Sequence, residues 1–275
     1  MLASLFARSA ARPTELAARP SEAQTGAWPR DRLVPATGLA AVPNAELDVK
    51  GDHIEIWIAS CAAVDGGLEG LRTSLTQADF AEINKVRHAA TRVHMATARA
   101  QLRIALTHAV CGRMPAHAWQ FERTGSGQLS LQPALPGLRF SVSHAAGLVA
   151  IAVSHNRPVG IDIEAEHSTM DSAFLKTFLS RREWKAMRRL PEAQRLREAI
   201  HRWTLKEAYA KLLGIGLAAD LTGFEFHLKP ARLMCHCEAA DAGHGTGFWT
   251  WHVPGPRGSC RLALAVGQPT ARQVH

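Results

Sequence analysis

Val159-Gly160-Ile161-Asp162-Ile163-Glu164 is a short strand that carries two carboxylates. Apolar and acidic residues alternate, so Ile161 and Ile163 share one face while Asp162 and Glu164 share the other. Two acids on one strand face repel each other unless a cation sits between them. Upstream, Arg139–Ser143 and Leu148–Ser154 read as a hairpin around His144-Ala145-Ala146-Gly147, and Asn156-Arg157-Pro158 turns the chain into the acidic strand. Downstream, Arg195 to Leu213 has helical periodicity and is stopped by Gly214 and Gly216. In that helix Glu207 and Lys211 lie one turn apart on one face, whereas Lys206 points about 100° away.

Further elements follow from local signals. His53–Ile58 alternates as a strand. Thr76 with Asp79, and Ser180 with Glu183, have capping-box spacing and predict two helix starts. Thr91 to Val110 is a long Ala/Leu/Arg helix, and Trp119–Glu122 a short strand. The C-terminal third returns to strands at Phe224–Leu228, Phe248–His252 and Arg261–Val266. Strand pairs separated by helices predict an α+β fold rather than a doubly wound parallel sheet.

Of the 275 residues, 47% are hydrophobic, which excludes global disorder. No apolar run is long enough to span a bilayer as a helix. Five scattered cysteines fit a reducing compartment better than a disulfide framework, and a cytoplasmic location is expected. Residues 1–50 are rich in Ala, Arg and Pro without sustained periodicity and read as a disordered extension; the first twenty weakly resemble a transit peptide.

The net charge of +8 is unevenly placed. Leu71–Arg123 carries eight Lys/Arg against three Asp/Glu, and Lys176–Lys211 eleven against four. Between them lies an acidic island of Asp162, Glu164, Glu166 and Asp171. Basic flanks around an acidic centre suit a polyanionic ligand whose phosphates meet a metal, or an acidic protein partner. A nucleic-acid binder is not indicated, because no reading helix or aromatic–basic motif accompanies the charge. Mg²⁺ binds oxygen and commonly uses one or two carboxylates plus substrate phosphates. Asp162 and Glu164 could supply such carboxylates and Glu207 complete the set from a facing helix; the alternative is an exposed edge strand with two solvated acids. In the first reading Lys211 stabilises charge on phosphoryl oxygens. His144, after Ser143 at the hairpin tip, reads either as a phosphate contact or as a solvated loop histidine. Cys235-His236-Cys237 has the wrong spacing for a zinc knuckle.

Four segments in this order, Phe140-Ser-Val-Ser-His144, Val159–Glu164, Phe178-Leu-Ser-Arg-Arg-Glu183 and Trp203-Thr-Leu-Lys-Glu-Ala-Tyr-Ala-Lys211, resemble the Sfp-type 4′-phosphopantetheinyl transferases. The resemblance covers about residues 75–217. It implies an α+β fold of two similar halves related by a pseudo-twofold axis, here 51–138 and 139–270, the latter holding the metal site. It implies transfer of the phosphopantetheine arm of coenzyme A to a serine of an acidic apo carrier protein, releasing adenosine 3′,5′-bisphosphate. By motif, Asp162, Glu164 and Glu207 would hold Mg²⁺, Glu207 would help deprotonate the serine, and Lys211 would contact the transferring phosphates. Ser143, His144, Arg87 and Arg92 would bind coenzyme A. The protein is expected to act as a monomer, without nucleic acid or membrane. Three positions depart from the family pattern: Gln128 in place of a lysine, Ala145 in place of a serine and His94 in place of an arginine. These departures motivate the alternative of a non-catalytic module that binds coenzyme A or a carrier protein.

Overall fold

The computed structural model describes residues 25–27, 39–40, 43–61, 68–216, 220–229, 231–236 and 245–269. In chain order the strands are β1 (Thr25–Ala27), β2 (Ala45–Val49), β3 (Asp52–Ser60), β4 (Phe121–Arg123), β5 (Leu129–Leu131), β6 (Leu138–Ala145), β7 (Leu148–His155), β8 (Val159–Ala165), β9 (Phe224–Leu228), β10 (Ala231–His236), β11 (Gly247–Gly255) and β12 (Gly258–Val266). The helices are α1 (Gln77–Asn84), α2 (Ala89–Ala109), α3 (Ser172–Phe178), α4 (Arg181–Met187) and α5 (Glu192–Leu213). Mixed helix and antiparallel sheet make this an α+β fold.

Two four-stranded sheets form the centre. One has the order β2-β3-β7-β6, all antiparallel. The other has the order β1-β11-β12-β8, antiparallel except that β1 runs parallel to β11. Strand alternation divides the apolar residues between layers. Ile54, Ile56 and Ile58 of β3, Ala150 and Ala152 of β7, Ile161 and Ile163 of β8, and Leu262 and Leu264 of β12 share one core between the sheets. The opposite face of the first sheet, through Trp57, Val149 and Ile151, packs on Leu102 and Leu106 of α2. The opposite face of the second, through Ala263 and Ala265, packs on Ala208 and Tyr209 of α5. Strands β7 and β12 are therefore covered on both faces, which is why they read as nearly continuous apolar runs.

The predicted helix starts are present. Thr76 and Asp79 form a capping box at α1, and Ser180 and Glu183 form one at α4. Three features differ from a purely local reading. First, β2 lies inside the segment read as a disordered extension, yet it pairs with β3 from Ala45↔Ile56 to Val49↔Asp52. Its alternation is only five residues long and follows a Pro/Ala-rich stretch, so the local signal is weak. Second, β6 and β7 pair into the first sheet, so that sheet draws on both sides of position 139; the change of sheet falls between β7 and β8. Third, the predicted strand at Trp119–Glu122 begins only at Phe121, because Trp119 is buried and donates its indole N–H to Thr107 Oγ1 (3.0 Å). Among the described residues no helix is long and apolar enough to cross a membrane.

Candidate active site

Asp162 and Glu164 lie on the face of β8 turned toward α5. What lets that helix come close is Gly160: a Cβ there would stand 1.9 Å from the Ala208 carbonyl oxygen and 2.5 Å from the Leu212 nitrogen. Glycine inside a strand often marks such a close backbone approach. The small residues Ala263 and Ala265 beneath α5 extend the same close packing along the sheet. The helix then presents Trp203, Glu207 and Lys211, spaced four residues apart on one flank, to the two acids of β8.

Three elements meet at Asp162, which is only 3% exposed. Its Oδ1 accepts hydrogen bonds from Ser143 Oγ of β6 (2.7 Å) and from Lys211 Nζ of α5 (2.7 Å). Its Oδ2 is buried and bonded to nothing among the described residues. Glu164 Oε1 accepts from the indole N–H of Trp203 (2.8 Å), which fixes the second acid to the same helix. Glu207 is buried beside them. Along the free edge of β8, Ser141 Oγ accepts the Ile161 N–H (3.1 Å), two residues along β6 from the Ser143–Asp162 contact.

The electrostatics are those of an acid cluster with too little positive charge. Burial pushes the Glu164 carboxyl up to about 7, the charge of Asp162 adds to this, and the Trp203 hydrogen bond and Lys211 oppose it. Glu207 is likewise pushed up to about 7, first by burial and then by Asp162. One lysine does not balance three carboxylates. Among the described residues no three His, Cys, Asp or Glu groups are gathered closely enough to hold a metal ion by themselves. A hard divalent ion such as Mg²⁺ does not need an all-protein cage, since it keeps waters and takes substrate oxygens. Oxygen-only donors, the unbonded buried Oδ2 and two carboxyls made reluctant to ionise fit such an ion.

The remaining predicted residues divide. Ser143 is in the cluster, through its bond to Asp162. His144 follows it on the opposite side of β6 and is solvent-exposed, with its ring edge-on to His94 of α2 (centroids 5.7 Å apart). It sits in the ladder opposite Val149; the hairpin tip is Ala146-Gly147, both with positive φ, as a two-residue turn of this hand requires. Loss of solvent on its inner side, then His94 and Lys211, lower the His144 pKa, favouring a neutral ring. Arg92, in the first turn of α2, bends back to donate to the Val86 and Arg87 carbonyls (3.3 and 3.4 Å). Arg87 is exposed in the connection before α2. The structure gives neither arginine a bond to the acid cluster.

Lys206 points away from the site, as its helical phase predicts. It is fully buried and donates to Phe178 O (2.6 Å), Glu183 Oε2 (2.6 Å) and Leu221 O (3.2 Å). Three roles were not read from sequence: Gly160 as a spacing residue, Trp203 as the anchor of Glu164, and the contact made by Gln128. Gln128 donates its side-chain amide to the Lys211 carbonyl (2.9 Å), so at this departure from the family pattern the side chain caps the helix end that carries the lysine. Only Gly160 left a local signal, a glycine inside an apolar strand; the other two contacts span 39 and 83 residues.

With this geometry in view, comparison with known proteins is informative. A family model described as the 4′-phosphopantetheinyl transferase superfamily matches residues 158–248, from β8 into β11. A protein named 4′-phosphopantetheinyl transferase HetI, from Nostoc sp., is 30% identical over 232 residues, covering 84% of this chain and 93% of that protein. A 4′-phosphopantetheinyl transferase of Bacillus subtilis is 36% identical over 98 residues, 35% of this chain and 42% of that one. The human protein named L-aminoadipate-semialdehyde dehydrogenase-phosphopantetheinyl transferase is 29% identical over 105 residues, 36% of this chain and 34% of its own length.

Proposed function

The chain belongs to the 4′-phosphopantetheinyl transferase superfamily, and from that premise we propose that it moves the 4′-phosphopantetheine arm of coenzyme A to a serine of an acidic apo carrier protein. The observation that carries this reading is the convergence on Asp162 of Ser143 and Lys211, with Oδ2 left unbonded and Glu164 and Glu207 alongside. Asp162, Glu164 and Glu207 would hold Mg²⁺. Bound there, the ion would offset the charge of the coenzyme A pyrophosphate and polarise the phosphorus under attack.

The chain's own residues divide the remaining work. Glu207 would help take the proton of the carrier serine, directly or through water. The serine oxygen bonds to the phosphorus bearing the pantetheine arm, and the bond from that phosphorus to the bridging oxygen breaks. Adenosine 3′,5′-bisphosphate leaves with the electron pair. Lys211, oriented by Asp162, offsets charge gathering on the phosphoryl oxygens. His144, Arg87 and Arg92 would engage the phosphates of coenzyme A. Phosphoryl transfer depends on positioning and charge balance more than on covalent catalysis, and this site is built for both.

We read the chain as two similar halves that meet between β7 and β8. In support, each four-stranded sheet is covered by one long helix, α2 of 21 residues and α5 of 22. We read the enzyme as a cytoplasmic monomer; Cys61, Cys111 and Cys260 are free thiols, in keeping with a reducing compartment. The test is incubation of the protein with coenzyme A, Mg²⁺ and a panel of apo carrier proteins, read by intact mass. A carrier that gains the arm's mass with wild type and not with Asp162→Ala supports the proposal. Carriers that all stay unmodified while the protein is folded overturn it in favour of the non-catalytic binding module.

A further inference from the structure

Helix α5 has a second functional flank. Gln194, Arg197, Glu198, His201 and Arg202 recur at three- and four-residue steps, so they form one stripe. Glu207 lies on the other side of the helix from Glu198, nine residues and about 180° away. The stripe borders a cleft of about 780 Å³ that β9, β11 and β12 close from the other side. Asp162, Glu164, Glu207 and Lys211 are not among the residues that line it.

Its chemistry is cationic. Arg197 and Arg202 come from α5, Lys229 follows β9, and Arg261 comes from β12. Against them stand Glu198 and Glu183, which pair with Arg202 (2.9 and 3.5 Å), and Glu166, which pairs with Arg261 (3.0 Å) and His252 (2.7 Å), so Arg197 and Lys229 are the cations of the cleft with no carboxylate partner among the described residues. Arg197 and Lys229 are exposed at the mouth. Arg261 is only 9% exposed, and its Nε is buried without a hydrogen-bond partner among the described residues. An unbonded donor on a buried guanidinium costs free energy unless an acceptor arrives from outside. His201, buried at the base, has its pKa pushed down to about 3, first by burial and then by Arg261 and Arg202, so its ring is neutral there. Phe226 and Leu228 add an apolar wall. The volume is that of an organic ligand site rather than of a bare ion.

We propose that this cleft is a second ligand site, distinct from the reacting site, for a small multivalent oxyanion: a phosphate ester or a polycarboxylate. Arg197 and Lys229 would capture the anion at the mouth, and Arg261 would donate to it from within. Guanidinium groups bind both classes through charge-assisted hydrogen bonds. Such a site lets an anionic metabolite act on α5, the helix that also carries Glu207 and Lys211.

Isothermal titration calorimetry in metal-free, low-salt buffer tests this, with pyrophosphate and citrate as separate probes. The two arms distinguish phosphate from carboxylate chemistry. Wild type is expected to bind at least one probe saturably at one site. The double variant Arg197→Ala/Lys229→Ala, altered only at exposed positions, is expected to bind it about tenfold more weakly, and Lys211→Ala as tightly as wild type. Absence of saturable binding to wild type overturns the proposal. So does binding that survives the double substitution, or that disappears in Lys211→Ala, since the anion then sits elsewhere or in the reacting site.

Discussion

Replacing Gly160 with alanine probes how the site is assembled. The new methyl group would meet backbone, 1.9 Å from the Ala208 oxygen and 2.5 Å from the Leu212 nitrogen, so no side-chain rotation relieves it. Ordinary contact begins near 3.4 Å, and α5 must therefore retreat by roughly 1.5 Å. Overpacking of this kind costs ~1–3 kcal/mol, which a domain of this size survives. The catalytic consequence is larger, because the 2.7 Å bond between Lys211 and Asp162 spans that gap. A 1 Å misplacement in a site that works by positioning costs on the order of 10²-fold in rate. Carrier loading followed by mass or by coenzyme A consumption should show kcat/KM reduced by about that factor, with a thermal transition lowered but still cooperative. Gly125→Ala is the control: nothing lies within 4 Å of its Cβ position and its φ is not in the left-handed region. A folded Gly160→Ala enzyme that loads carriers nearly as fast as wild type would refute the argument that this glycine sets the distance between helix and acids.

Two further outcomes follow from buried charge. Glu183→Gln leaves Lys206, fully buried, without its counter-charge, and should lower unfolding stability by about 3 kcal/mol. Glu198→Gln, which breaks only a partly exposed i,i+4 pair with Arg202, should cost ~0.5 kcal/mol or less; equal denaturation midpoints for the two variants would contradict the assignment. The second concerns pH. Glu164 and Glu207 titrate near 7 in the fold against an ordinary 4.5, so their contribution to stability is full below about 4.5 and is lost as pH rises through about 7. Metal-free protein should lose thermal stability across that window, and Mg²⁺ should raise the melting temperature more at about pH 8 than at about pH 5.5, because its ligands bind deprotonated. A Mg²⁺ effect independent of pH, or absent, would count against these carboxylates as ligands.

Much of the local structure was legible because it is encoded over short spans. The capping boxes at Thr76 and Ser180, the hairpin before the acidic strand and the phase of Lys206 each depend on residues within a turn or two of one another. The missed strand β2 shows the limit: five residues with a weak alternation become a strand because β3 offers them a partner. Gln128 shows another. As a departure from a family pattern it suggested a lost contact, whereas its bond to the Lys211 carbonyl shows a side chain given to holding α5.

The sequence by itself determined the acids on one face of β8, the Glu207 and Lys211 flank of α5 and the charge of the segments around them, because strand and helix periods assign residues to faces without reference to the rest of the chain. Tertiary structure decided which faces meet. The approach of α5 over Gly160, the choice of Asp162 rather than Glu207 as the partner of Lys211, and the cationic cleft on the other flank of α5 all join residues tens of positions apart. Such distances are set by packing between layers, where one missing methyl group fixes the separation of a helix and a strand, and no local pattern records that spacing.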